Sequence, residues 1–261
     1  MITTSDHIQV QNEAGVLTLT MNRPEKKNAL TQDMYAALAD NVVAAQTDPD
    51  IRVVLITGTG DSFTAGNDLG DFAGSDDAPK GENELPPVGR YLQAILTAEK
   101  PIVAAVNGLA IGVGVTMLLH CDLVYASLKA TFQTPFVNLG LVPEAGSSLL
   151  LPNLIGTQKA NDMFLLGTKV SAEDAEKMGL VCSIFDENAL LDEASSRAHA
   201  LAAKAPNAVK LTKQLVRQDH ANVAQQMADE SVHFSAQLKT AEFAEAAMAF
   251  AERRAPDFSK I

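Results

Sequence analysis

Short, wholly apolar runs alternate along the first half of this chain with polar, glycine-bearing loops and with stretches whose apolar residues recur every three to four positions. From about Ser171 onward the pattern is nearly all helical. Together these predict an α/β core followed by a helical C-terminal extension. Val16 to Met21 reads as a strand that ends in the polar turn NRPEKKNALT. A helix follows, capped at Thr31 and running to about Gln46, with Met34, Leu38, Val42 and Ala45 on one face and Asp48-Pro49 as its stop.

Two segments share one design. VVLIT (53–57) is a buried strand followed by GTGDSFTAGNDL, and IVAAV (102–106) is a buried strand followed by NGLAIGVGV. Each strand runs into a loop whose glycines let backbone approach a ligand closely. The second loop enters an apolar stretch, Val113 to Leu119, expected to be a buried helix with its free N–H groups facing that loop. Residues 70–90 are rich in Gly, Pro and acid and read as one long loop, either plain mobile surface or a lid. Asp122 to Ala126, Ala130 to Gln133 and Val181 to Phe185 read as strands, and SAED at 171–174 as a capped helix start closed by Gly179. Residues 188–205, 207–217, 221–239 and 240–254 read as amphipathic helices whose apolar faces ask for a partner body, such as a second subunit.

Composition narrows the chemistry. At 261 residues with 47% hydrophobic and 20% charged positions, the chain has ample core for one large domain. No apolar run reaches membrane-span length, and the polar, acidic start lacks the pattern of a secretory leader, so a cytoplasmic protein is expected. A net charge of −12 argues against nucleic acid as partner. Cys121 and Cys182 lie far apart in apolar segments and are expected to be buried free thiols. His7, His120, His199, His220 and His233 show no metal-ligand spacing and read as core or surface histidines, so no metal is expected.

From the residues alone, two strand-ending loops with small residues offer convergent backbone N–H donors, the arrangement a developing oxyanion requires. Glycines that merely allow tight turns remain the alternative.

SFTAGNDL, KPIVAAVNGLAIGVGVTMLLHCDLVYAS and FQTPFVNLGLVPEAGSSLLLPNLIG, with NRPEKKNALT, APNAVKLTKQLVR and AFAERRAPDF, together resemble the enoyl-CoA hydratase/isomerase (crotonase) superfamily over nearly the whole chain. The resemblance implies a crotonase-like spiral of ββα units over residues 1–200, a C-terminal helical trimerisation region over 201–261, and homotrimers or dimers of trimers. It implies an acyl-CoA substrate, with coenzyme A arriving as part of that substrate and no resident cofactor. One oxyanion donor of such enzymes matches Asn67, after the Gly of the AGxDL motif. The other matches Val113, in the middle of the Gly-x-Gly loop. Lys26, Ala29, Ala65, Asp68 and Leu69 match positions that hold the nucleotide end of coenzyme A, and Phe250 and Arg253 match a neighbouring subunit's contribution to it.

Departures from the family pattern carry more information. Where hydratases of the family have a pair of glutamates, this chain has Thr116 and Phe136, neither of which exchanges protons near neutral pH. A carboxylate appears instead at Glu144, in a Pro-Glu-small-Gly sequence that resembles the peroxisomal type of 3-enoyl-CoA to 2-enoyl-CoA isomerase, where it is the sole base. Read as a bare sequence, Glu144 is instead an exposed loop acid capping a helix at Ser147; the family context reverses that reading. The expectation is an isomerase. The rivals are a hydratase or thioester hydrolase of the same family, and a non-catalytic scaffold that binds coenzyme A.

Overall fold

The computed structural model describes residues 5–68, 70–71, 85–217 and 220–261. The chain opens with β1 (Ile8–Glu13), β2 (Val16–Met21), α1 (Gln32–Thr47), β3 (Val53–Gly58) and β4 (Ser62–Thr64). It continues with α2 (Pro87–Thr97), β5 (Ile102–Val106), β6 (Leu109–Ile111), α3 (Val113–Thr116), β7 (Leu123–Ser127) and β8 (Thr131–Gln133). Then come α4 (Ser147–Ile155), α5 (Thr157–Leu166), β9 (Val170–Ser171), α6 (Ala172–Lys177) and β10 (Ser183–Phe185). The remainder is α7 (Leu190–Ala202), α8 (Pro206–Val216), α9 (His220–Gln237) and α10 (Ala241–Ala251).

One sheet runs in the order β1-β2-β3-β5-β7-β10 and a second in the order β4-β6-β8-β9. The antiparallel β1/β2 hairpin edges a ladder in which β2, β3, β5, β7 and β10 are all parallel. Each repeat sends one strand into the large sheet, turns sharply into the small sheet, and returns through a helix: β3-β4-α2, then β5-β6-α3, then β7-β8-α4. This is the expected ββα spiral. Because β4, β6 and β8 also pair in parallel, the loops leaving them lie side by side at one end of the small sheet.

Strand periodicity explains both cores. Val54, Ile56, Ile102, Ala104 and Val106 face the main core with α1 and α2, while Val53, Leu55, Val103 and Ala105 on the opposite face meet Leu190, Ala194 and Ala198 of α7. Helix α1 starts where expected, with the Thr31 hydroxyl accepting from the Met34 N–H at 3.3 Å, and Met34, Leu38, Val42 and Ala45 are all buried. Ser171 caps α6 in the same way, accepting from Asp174 N–H at 3.1 Å.

Several expectations change. The loop expected over 70–90 ends before Pro87, because Pro-Pro sets the first turn of α2 and Tyr91, Leu92, Ile95 and Leu96 supply a buried face; residues 72–84 lie outside the described residues. The expected helix from Val113 to Leu119 is a single α turn, α3, that tightens into a 3-10 turn over Met117–His120. Strand β1 and helices α4 and α5 carry no clear period in the sequence. The first is a half-exposed edge, and α4 is apolar on most sides with Pro152 inside it. Cys182 is exposed, not buried, since it lies at the surface just before β10. Cys121 is partly buried, and burial pushes its thiol up to about 12.

The C-terminal helices are tied to the segment entering β7 by a largely buried cluster of three charged side chains. Lys213 of α8 reaches Asp122 at 2.7 Å and the Lys100 carbonyl at 2.9 Å, while Arg217 reaches Asp122 at 3.3 Å and donates to the His120 carbonyl at 2.7 Å. Among the described residues no helix is long and apolar enough to cross a membrane.

Candidate active site

Two donor loops meet at the end of the small sheet. Thr64 pairs with Ala110 across β4 and β6, so Gly66-Asn67 and Gly112-Val113 leave their strands as neighbours. Both glycines are left-handed, Gly66 at φ +91° and Gly112 at φ +56°, which turns the next residue's N–H out of the ladder. A Cβ on Gly66 would stand 3.0 Å from the Ile111 carbonyl, so the loops touch there. The Leu30 bridge takes its bonds from the residues flanking Asn67, with Leu30 N–H donating to the Gly66 carbonyl at 2.8 Å and Asp68 N–H to the Leu30 carbonyl at 2.9 Å. Val113 opens α3, where an N–H has no acceptor within its own helix. Its neighbour Gly114 must be small, since a Cβ there would lie 2.7 Å from Thr64 Cγ2.

Glu144 reaches the same place from the segment between β8 and α4. The Thr116 hydroxyl at the end of α3 donates to its Oε1. Burial raises the Glu144 carboxyl to about 7; the Thr116 bond opposes this, and the negative charge of Glu230 adds to it. Tyr35, fully buried on α1, donates to the Asn67 side-chain oxygen, and its own hydroxyl is pushed far up by burial, by the Glu144 charge and by Tyr91. The Tyr35 and Tyr91 rings lie 5.9 Å apart, and Tyr91 donates to Met117 Sδ at 3.6 Å. Asn67, Val113, Thr116 and Glu144 are thus linked through Tyr35 and α3. Phe136 is buried against Phe164, ring centres 6.3 Å apart, and brings no acid.

The positions matched to coenzyme A form an adjoining surface. Arg23 pairs with Asp68 at 2.6 Å and donates to the Ala29 carbonyl at 3.1 Å, while Ala65 N–H donates to the Lys27 carbonyl at 2.9 Å. This stitches the Lys26–Ala29 turn to the 65–68 loop and leaves Lys26 exposed. Burial pushes the Asp68 carboxyl up, but Arg23 and the Asp71 and Gly70 N–H groups outweigh it and hold it below its ordinary value. Leu69 lies outside the described residues. Phe250, 66% exposed, and Arg253 sit at the far end of α10, and no described contact joins them to the site within one chain.

Residues 11–260 match the family model for enoyl-CoA hydratase/isomerase. The chain belongs to the enoyl-CoA hydratase/isomerase family. A crystal structure of an enoyl-CoA hydratase/isomerase from Pseudoalteromonas atlantica T6c superposes with a TM-score of 0.91 at 50% identity, covering 97% of this chain and 100% of that one. The 1,2-epoxyphenylacetyl-CoA isomerase of Escherichia coli K12 is 34% identical over 251 residues, 95% of this chain and 96% of its own length. The rat enoyl-CoA delta isomerase 2 is 39% identical over 220 residues, 82% of this chain but 55% of the rat protein. This chain therefore spans about half of that relative. These proteins bear names of different reactions, so family membership alone does not specify the chemistry at Glu144.

Of the residues named from the sequence, Asn67, Val113, Thr116 and Glu144 come together at this end of the small sheet, and Phe136 is buried without bringing an acid. Sequence reasoning missed the bond between Thr116 and Glu144, and it missed Tyr35 and Glu230. Tyr35 reads as one more apolar position on α1, and Glu230 as one more surface acid on a helix. His120, expected to be a core or surface histidine, is a core one, buried with Nε2 2.8 Å from the Ala145 carbonyl.

Proposed function

We propose that this chain moves the double bond of a 3-enoyl-CoA thioester into conjugation with the carbonyl, giving the trans-2-enoyl-CoA. Glu144 takes a proton from C2, and the C2–H electrons shift toward the carbonyl to give a dienolate. The N–H groups of Asn67 and Val113 hold its oxygen. The same carboxyl then returns the proton at C4, the double bond settles between C2 and C3, and the carbonyl re-forms. A donor of this kind contributes about 3–4 kcal/mol to such a step, and a positioned base roughly 10²- to 10⁴-fold in rate.

The observation that carries this reading is one carboxylate of near-neutral proton affinity beside the donor loops, with Thr116 and Phe136 where a second carboxylate would stand. A base poised near working pH can both accept and return a proton. Water activation by a pair of carboxylates has no second partner at those positions. The Lys26–Ala29 turn with Ala65, Asp68 and Leu69 receives the nucleotide end of coenzyme A, which enters as part of the substrate. Phe250 and Arg253 complete that surface from a neighbouring copy in a trimer or dimer of trimers built on residues 201–261.

The test supplies 3-enoyl-CoA and 2-enoyl-CoA separately and follows the conjugated-thioester absorbance. The proposal expects a rise with the first and no change with the second. Loss of absorbance from 2-enoyl-CoA would instead make the protein a hydratase, and release of free thiol a thioester hydrolase. Binding without turnover of either would make it a scaffold.

A further inference from the structure

Glu230 on α9 is buried, 5% exposed, and its described hydrogen-bond partners are all uncharged. Gly146 N–H donates to Oε2 at 2.6 Å, and Ser148 N–H and hydroxyl donate to Oε1, the N–H at 2.9 Å. Gln226, one turn earlier on α9, donates to the same Ser148 hydroxyl oxygen at 2.8 Å. These donors follow immediately after Glu144, where the chain bends through two consecutive left-handed residues, Ala145 at φ +62° and Gly146 at φ +70°. An alanine rarely stays in that region unless its surroundings hold it there. Helix α9 lies directly on the bend, since a Cβ on Gly146 would stand 2.9 Å from Val223 Cγ1 and 3.3 Å from Met227 Cγ. Val223, Met227 and Glu230 form one helical face, and His120 meets the Ala145 carbonyl on the same bend.

We propose that Glu230 is the positioning residue for Glu144: from the C-terminal helix it locks the 144–148 bend through peptide N–H groups and sets a second negative charge beside the base. Two roles thus reside in one side chain, geometric through its hydrogen bonds and electrostatic through its charge. Among the described residues, the groups acting on Glu144 are the Tyr35 hydroxyl from α1, the Thr116 hydroxyl from α3 and the Glu230 carboxylate from α9, with His120 on the neighbouring Ala145 carbonyl. Tyr35 stays neutral across the working range, so Glu230 supplies the charge in this set that raises the proton affinity of Glu144. The C-terminal helices are then part of the reaction centre of their own chain, in addition to any role between subunits. This rests on Glu144 being the base.

The experiment uses Glu230→Gln in the full chain, which keeps the side-chain shape, removes the charge and replaces one acceptor oxygen by an NH2 group facing an N–H. Infrared titration of the Glu144 carboxyl, identified by its loss in Glu144→Gln, should move to lower pH by roughly half a unit to one unit. The acid limb of kcat/KM for isomerisation should move with it, and kcat should fall about tenfold while KM stays within about twofold. A folded Glu230→Gln protein in which Glu144 titrates as before overturns the proposal, as does a lower kcat with an unmoved limb. If Glu144→Gln retains full turnover, the base assignment fails, while the infrared shift still decides whether Glu230 acts on Glu144. Should Glu230→Gln not fold, hydrogen exchange on the unmutated protein decides. Protection of the Gly146 and Ser148 amides equal to that of the amides in the last turn of α4 supports the lock, and open-loop exchange overturns it.

Discussion

Asn67 and Val113 offer backbone atoms, each placed by the left-handed glycine before it and by the register of β4 against β6. Glu144 offers a side chain, and its chemistry is set by Thr116 from α3, Tyr35 from α1 and Glu230 from α9. Under the proposed function the working groups of the donor region are peptide N–H groups, so a change in the Asn67 or Val113 side chain that leaves the glycines in place is expected to be tolerated. The base region is not expected to tolerate such change, because three distant segments tune one carboxyl. The contrast fits a fold whose relatives carry names of different reactions.

The largest effect that breaks this contrast is expected on the donor side from a backbone change. Gly66→Ala puts a Cβ at φ +91° against the Ile111 carbonyl and should misdirect the Asn67 N–H. Steady-state kinetics should show kcat lower by roughly 10²-fold, the usual cost of one lost oxyanion donor. Val113→Ala changes only the side chain and keeps the N–H; kcat within about threefold of the parent is expected on the same ground.

On the base side, pH is the probe. With Glu144 at about 7, kcat/KM should fall tenfold per unit below that value, since only the ionised form accepts a proton. Stability runs the other way. The folded protein binds a proton at Glu144 more tightly than the unfolded chain does, so this contribution is fully present below the unfolded carboxyl value. It is lost as pH rises through about 7. Glu144→Gln should therefore be more stable than the parent at pH 8, by on the order of 2 kcal/mol, with the difference gone near pH 4. Thermal unfolding at the two pH values checks it.

The smallest effect expected is at Thr116→Val, which removes the hydroxyl that favours ionised Glu144. The acid limb should move to higher pH by a few tenths of a unit and activity at pH 7 should drop by up to about twofold. An unmoved limb would mean that Thr116 fills space only.

The same contrast governs what was legible in the sequence. VVLIT, IVAAV and the Thr31-capped helix were readable because one strand or helix carries its own period and punctuation. The donor loops followed only in part: they were expected to leave VVLIT and IVAAV directly, whereas Gly66 and Gly112 leave the short strands β4 and β6, three residues each and too brief to show a period of their own. The base loop did not follow from local pattern. Its partners come from residues 28 positions back at Thr116 and 84 to 86 positions ahead at Glu230, measured from Glu144 to one and from Gly146 and Glu144 to the other. No periodicity marks Glu230 as different from the exposed acids of the same helix. Helices α4 and α5 were hidden for a related reason: Pro152 and Gly156 break their pattern, and packing by α9 supplies what propensity lacks.

The most direct test is Glu144→Ala, measured for conversion of 3-enoyl-CoA to the conjugated thioester and, in parallel, for binding of a saturated acyl-CoA by calorimetry. The account predicts that turnover falls by at least about 10²-fold while binding persists. Parental turnover in the folded variant would contradict it, and would move the proton-carrying role away from Glu144.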